Sequence, residues 1–280
     1  MFTFYNPVKI YKGYGCIKQI TNILQDMNCE KANVLLLAMN EFVFDNQDVK
    51  QIIENSADCS FQCKVFSKSN PEIGDLYELY QESKDWNIDV VVAIGGGSVL
   101  DVGKSLCWIY GKDISSQEEL KTMIVEKQKK ANHCKWIGVP TTAGTGSEVT
   151  CWATIWNSAE GNKLSIESKD NFAYAALIDT QFAENMLLQL TISSAVDALS
   201  HATEAYWAKG SNPVSKALSL YAVQMIVTHI EDVFVEEKRK EAHEYLAEAS
   251  LIAGMAFSNT KTTACHSMSY PLTINYKIPH

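Results

Sequence analysis

The chain has 280 residues, 46% of them hydrophobic and 20% charged, with a formal net charge of −9. That balance suits a globular chain with a large core, and it excludes the basic face that a nucleic-acid partner requires. No apolar run reaches the ~18 residues of a membrane span, and the first residues lack the basic and apolar regions of a secretory leader, so a cytoplasmic protein is expected. The eight cysteines, Cys16, Cys29, Cys59, Cys63, Cys107, Cys134, Cys151 and Cys265, include no C-x-x-C pair and read as reduced, mostly buried thiols.

Up to about residue 180, short apolar runs alternate with helical patterns, which is the signature of a parallel sheet. Residues 33–39 (NVLLLAM) and 61–66 read as strands. Residues 71–86 carry Ile73, Leu76, Leu79 and Tyr80 at helical spacing, with Asn70 as the N-cap. Residues 88–94 (IDVVVAI) form the clearest strand pattern, stopped by three glycines, and a helix from 98 to about 110 should follow. Residues 136–139 and 176–178 read as further strands. From residue 191 the texture changes to three long helical patterns, 193–208, 214–235 and 236–257. Lys209 and Gly210 stop the first, and Asn212 with Pro213 starts the second. The expected architecture is an α/β nucleotide-binding domain over residues 1–180 followed by an all-α metal-binding domain over 181–280.

Two loops carry nucleotide chemistry. Gly95, Gly96, Gly97 and Ser98 lie between a strand and a helix. Glycines permit close backbone approach, and a helix N-terminus offers unpaired N–H groups and the positive dipole end to a phosphate. The pattern is neither G-x-G-x-x-G nor a P-loop, and a plain tight turn is the alternative. The run Thr141, Thr142, Ala143, Gly144, Thr145, Gly146, Ser147 also follows an apolar strand. Its hydroxyls and bare amides suit a pyrophosphate, a ribose or a carboxamide; a flexible loop is the alternative. Ligands of open α/β sheets sit beyond the strand C-termini, where both loops fall. Asp101 reads as a ribose acceptor or a loop organiser. Lys104 reads as a phosphate contact or a solvated helix lysine.

Asp197 and His201 stand at i, i+4 on one predicted helix face, so both reach the same point in space. Alone, such a pair is more often a surface polar pair or a core histidine. Two further histidines, His266 and His280, follow in a proline-containing segment. One carboxylate and three imidazoles with no cysteine suit Fe²⁺ or Zn²⁺ and leave room for a substrate oxygen. His133, His229 and His243 lack comparable partners and read as surface or helix-face residues.

These motifs, GGGSVLDVGK, PTTAGTGSEVT, VDALSHATEAY, SNPVSKAL, GMAFSN and IPH, together with Asn70-Pro71, Lys163 and Ile178-Asp179, run in order along the whole chain. The chain thereby resembles the iron-containing (group III) alcohol dehydrogenases, relatives of glycerol dehydrogenase and dehydroquinate synthase. The resemblance implies a Rossmann-like N-terminal domain, an all-α C-terminal domain (a dehydroquinate synthase-like fold), and a cleft between them. It implies metal ligation by Asp197, His201, His266 and His280. It places cofactor contacts at Asn70, Gly97, Ser98, Thr141, Thr142, Thr145 and Lys163; Gly95 and Gly96 of the glycine turn and Asp101 on the helix that follows are expected beside them. Many members carry a second late histidine where this chain has Tyr270, whose hydroxyl would take over a proton relay, and Thr273 replaces a glycine. Asn40 falls where many members place an acidic residue that rejects a 2′-phosphate, so both NAD and NADP are expected. Lys261, with Thr262 and Thr263, resembles a subgroup that reduces phosphonoacetaldehyde or similar anionic aldehydes; a capped helix start with a solvated lysine is the alternative.

Family members continue well beyond residue 280, so a helical domain cut short of part of its core is expected. The resulting expectation is an NAD(P)-linked alcohol dehydrogenase or aldehyde reductase, a homodimer acting on a small-molecule alcohol or aldehyde. The alternatives are a non-redox lyase or cyclase of the dehydroquinate synthase type, and a nucleotide-binding module without catalysis.

Overall fold

The computed structural model describes residues 1–56, 58–128, 134–184 and 186–276. They form two compact units: Val8–Pro140 with Cys151–Asp179, and Met1–Pro7 with Thr141–Thr150 and the residues from Thr180 onward.

The first unit holds strands β1 (Lys9–Lys12), β2 (Asn33–Ala38), β3 (Ser60–Val65), β4 (Val90–Gly95), β5 (Lys135–Pro140), β6 (Trp152–Asn157), β7 (Asn162–Glu167) and β8 (Ala175–Ile178). Six of them form one sheet in the order β1-β8-β5-β4-β2-β3, and every neighbour pair is parallel. Helices α1 (Ile20–Asp26), α2 (Phe42–Asp45), α3 (Gln47–Asn55), α4 (Ile73–Ser83), α5 (Gly97–Ile109) and α6 (Gln117–Val125) connect the strands. A parallel strand covered on both faces needs a continuous apolar run. All six residues of β4 are buried accordingly, and five of six in β2. These were the strands most visible in the sequence. β1 has no such run; three of its four residues are exposed. β6 and β7 pair antiparallel as a separate hairpin, turned by Gly161 at φ +65°.

The start of α4 corrects one expectation. Its N-cap is Glu72, in a reciprocal capping box with Asp75, rather than Asn70, which instead takes a left-handed backbone at φ +52°. A longer carboxylate reaches the first-turn amides and frees Asn70 to form the bend that precedes the helix.

The second unit contains α7 (Leu188–Trp207), α8 (Pro213–His229), α9 (Glu236–Phe257) and α10 (Ala264–Tyr276). Asn212 caps α8 through bonds from the amides of Val214 and Ser215, with Pro213 at the first position. α8 stops at His229, and a 3₁₀ turn, Glu231–Phe234, follows where a continuous helix was expected. Ala195, Ala198, Ala202 and Ala205 form a fully buried small-residue stripe on α7. Ala195, Ala198 and Ala202 join Ile226, Leu246, Ala249, Ala222 and Ala253 from α8 and α9 in the core.

All eight cysteines are free, and only Cys107, Cys134 and Cys151 are buried; Cys63 and Cys265 are exposed. That narrows the expectation of mostly buried thiols. Among the described residues no helix is long and apolar enough to cross a membrane.

Candidate metal centre and nucleotide loops

The α7 helix brings Asp197, His201 and Glu204 onto one stripe at i, i+4 and i+7. Ala198, Ala202 and Ala205 beside them let the helix pack closely, so the polar stripe is carried partly into the interior. The start of α10 delivers His266 to the same place. Asp197 Oδ1 lies 3.4 Å from His266 Nε2, and Asp197 Oδ2 lies 3.8 Å from His201 Nδ1. One ligand atom from each of the three lies within 4.8 Å of the others. The two imidazoles stack at 4.3 Å, and Phe257 of α9 stacks on the other face of His201 at 4.2 Å. The expected fourth member, His280, lies outside the described residues. Two imidazoles and one carboxylate, converging and nearly buried, are the donor set that non-haem Fe²⁺ and catalytic Zn²⁺ accept with coordination positions to spare.

Glu204 had no role in the sequence reading, although it stands three residues after His201. It is fully buried. Its Oε2 accepts from His266 Nδ1 at 2.8 Å and from the Thr263 amide at 2.8 Å. Its Oε1 accepts from the amides of Cys265 and His266. Burial pushes the carboxyl upward, but the Thr263 amide, the His266 side chain and the Cys265 amide outweigh it and hold the pKa at about 2. For His266, burial acts to lower the pKa, and the facing carboxylates of Asp197 and Glu204 raise it overall. Glu204 therefore anchors the first turn of α10 and the ring of His266 together.

Tyr270 sits one turn after His266 on α10, half-buried. Lys261 is exposed, with a left-handed backbone at φ +65° on the segment that leads into α10. The first-turn amides of that helix are occupied by Glu204, and the Thr263 hydroxyl accepts from Trp207 Nε1 at 3.0 Å. Lys261 is exposed in this stretch, and Thr262 and Thr263 are part-exposed. His229 lies 3.4 Å from Asp232 and stacks on Tyr245. Of the two readings given for His243, surface or helix face, the structure gives the second: it lies on α9 and is buried. His133 lies outside the described residues.

In the α/β unit, β4 runs into α5 through Gly96, an N-cap with no side chain to occupy the first-turn amides. A Cβ on Gly95 would lie 2.5 Å from Val99 Cγ2, so a side chain there would push the first turn away. Gly103 serves packing: a Cβ on it would meet Ala93 Cβ at 2.7 Å, which lets α5 lie directly on the sheet. Ser98 Oγ accepts from the Asn70 amide at 3.2 Å, tying two expected cofactor residues together. Asn40 follows β2 at the C-terminal end of the sheet, and its Oδ1 is buried without a hydrogen-bond partner among the described residues.

Asp101 accepts from the Thr154 amide of β6 at 2.9 Å. Lys104 is fully buried, donates to Trp152 O at 2.7 Å and lies 3.7 Å from Asp101. This corrects the solvated-lysine reading: the pair fastens the hairpin to α5. Lys163 is on β7, opposite Trp156. Asp179 has a similar anchoring role, accepting from the amides of Gly15 and Ile17 at 2.9 Å each.

The 141–147 run belongs to the helical unit. A Cβ on Gly144 would lie 3.0 Å from Ser194 O, and one on Gly146 would lie 2.6 Å from Gly254 Cα. The glycines of this loop let its backbone lie against α7 and α9. Thr142 and Thr145 are its part-exposed members, whereas Thr141 is buried.

A parallel sheet with a glycine loop at its C-terminal edge, and a helical unit with a carboxylate–histidine cluster, are the parts of a nucleotide-using metalloenzyme. Comparison with known proteins agrees. The profile of the iron-containing alcohol dehydrogenases matches residues 7–180, and that of the family's C-terminal domain matches residues 191–280. The NAD-dependent methanol dehydrogenase of Bacillus methanolicus is 29% identical over all of this chain and 72% of its own length. The NADPH-dependent butanol dehydrogenase of Clostridium saccharobutylicum is 28% identical over all of this chain and 70% of its own. The crystal structure of sulfoacetaldehyde reductase from Bifidobacterium kashiwanohense in complex with NAD⁺ superposes with a TM-score of 0.89. It is 30% identical and is covered over 73% of its length by the whole of this chain. The chain belongs to the iron-containing alcohol dehydrogenase family and is an NAD(P)-linked oxidoreductase acting on CH–OH groups.

Proposed function

We propose that this protein interconverts a small aldehyde and its alcohol, using Asp197, His201, His266 and His280 to hold Fe²⁺ or Zn²⁺. The observation that carries the ligand assignment is the convergence of Asp197, His201 and His266 from two helices to within 4.8 Å. When bound, the metal polarises the substrate oxygen as a Lewis acid while the reduced nicotinamide supplies the hydride. The residues of this chain bind and orient. Gly95, Gly96, Gly97 and Ser98 present the α5 N-terminus to the cofactor phosphates, with Asn70 held against Ser98. Thr141, Thr142, Thr145 and Lys163 supply further cofactor contacts, and Asp101 keeps the loop in place. Phe257 covers one face of His201 and excludes water from it. Tyr270, one turn from His266, carries a proton between the substrate oxygen and solvent.

Lys261 supplies a cation for a substrate with an anionic tail, such as a phosphonate or a sulfonate; a sulfoacetaldehyde reductase is among the proteins to which the chain is similar. Asn40 puts no negative charge beyond β2, so the site tolerates a 2′-phosphate and accepts NADPH as well as NADH. The protein works as a cytoplasmic homodimer.

The central test is His266→Ala. Nucleotide affinity, followed by quenching of protein fluorescence, stays near the wild-type value, and reduction of any aldehyde, followed by loss of reduced-nicotinamide absorbance, disappears. Full activity of this variant after exhaustive chelation would reject the metal role. Lys261→Ala raises KM for an anionic aldehyde far more than for a neutral one of equal length; equal rises would reject the tail assignment.

A further inference from the structure

Glu204 is a fully buried carboxyl whose two oxygens face four nitrogens, three of them backbone amides. Oε2 takes His266 Nδ1 and the Thr263 amide, and Oε1 takes the amides of Cys265 and His266. Backbone N–H groups already donate to both oxygens, so the pocket treats this carboxyl as an acceptor, and in this contact His266 Nδ1 is the donor that carries the proton. That leaves Nε2 as the coordinating nitrogen, and Nε2 is the atom aimed at Asp197 at 3.4 Å. The same two oxygens hold the backbone that leads into the ligand, from Thr263 to His266. A single buried group thus sets the tautomer of the ring, its rotation, and the position of the turn that carries it. Histidines that bind metals commonly rest on such an outer carboxylate, whose loss typically lowers metal affinity 10–100-fold.

We propose that Glu204 is the positioning residue of the metal centre, fixing His266 with Nδ1 protonated and Nε2 toward Asp197 before any ion arrives. This rests on the ligand assignment of the preceding section. It goes beyond that assignment, because it gives a function to a side chain that touches neither ion nor substrate. Glu204→Gln keeps the size and removes one acceptor. Placed at the Oε2 position, the amide NH₂ forces His266 Nδ1 to accept and puts the proton on Nε2. Placed at the Oε1 position, it faces two backbone donors and loosens the turn. Either way the ligand is less well presented.

The test uses the full chain stripped of metal, with Zn²⁺ as the probe in competition with a chromophoric chelator. Circular dichroism reports folding of each variant. Glu204→Gln is expected to bind Zn²⁺ 10–100-fold more weakly than wild type while folded, and Glu204→Asp, which retains the charge, to recover part of that loss. ¹⁵N NMR of the metal-free wild type, at a pH where His266 is neutral, is expected to show the Nδ1–H tautomer. This measurement stands even if Glu204→Gln does not fold. A folded Glu204→Gln with wild-type affinity, or a wild-type His266 in the Nε2–H form, would overturn the proposal. A merely structural anchor would lower stability and leave affinity and tautomer unchanged. Wild-type protein that takes up no Zn²⁺ would overturn the ligand assignment, and this inference with it. Wild-type uptake with an unaffected Glu204→Gln would overturn this inference alone.

Discussion

At the level of single residues, burial and charge decide what a titratable group contributes. His243 is buried, and its pKa is lowered first by loss of water and then by Arg239, against a smaller opposing effect from Glu184. A lowered folded pKa means that the unfolded chain takes up the proton more readily. The native state is therefore at its full relative stability above the ordinary histidine value of about 6.5 and loses it as pH falls through the folded pKa. His243→Gln removes that dependence. The urea stability of the variant relative to wild type should improve between about pH 7 and pH 5; a difference constant with pH would refute it. Cofactor selection also belongs here. Asn40→Asp should raise KM for NADPH and leave KM for NADH nearly unchanged, because only the former brings a second anion to that carboxylate. Steady-state kinetics with both cofactors check this.

At the level of elements, the glycines of 141–150 illustrate how one motif carries a packing requirement beneath its chemical appearance. Gly146 has φ +56°, and a Cβ there would lie 2.6 Å from the backbone of Gly254 on α9. Both left-handed strain and overpacking act against alanine, so Gly146→Ala should cost about 3 kcal/mol in chemical denaturation. A loss under 1 kcal/mol would mean that the loop relaxes away from α9. The α8 cap is simpler: Asn212 accepts from two amides, and Asn212→Ala should cost about 1 kcal/mol. The elements legible in the sequence were those with a strong local period, β2, β4, α7 and α9. Those that escaped were held by distant partners. β1 has no apolar run and depends on its pairing with β8. The hairpin β6–β7 is fastened by Asp101 and Lys104 from α5.

For the whole molecule, an ion that binds only the folded centre must stabilise it by mass action. Zn²⁺ at one hundred times its dissociation constant should add about 3 kcal/mol. Because the proposed ligands Asp197, His201 and His266 lie in the helical unit, calorimetry should place that gain in the unfolding of this unit. His266→Ala should abolish it. A gain of equal size in the variant would indicate binding elsewhere, with the exposed Cys63 and Cys265 as the first places to look.

The glycine turn after β4 and the pairing of Asp197 with His201 were set by local patterns, because each depends on residues within one element or one turn, and the order of such patterns along the chain set the family and the parallel sheet. The meeting of His266 with that pair depended on tertiary structure, since it joins helices some sixty residues apart in the chain. So did the roles of Glu204, Lys104 and His243. Charged and titratable side chains look alike in a sequence whether solvated or buried; only packing decides how much water each keeps and which partner replaces it.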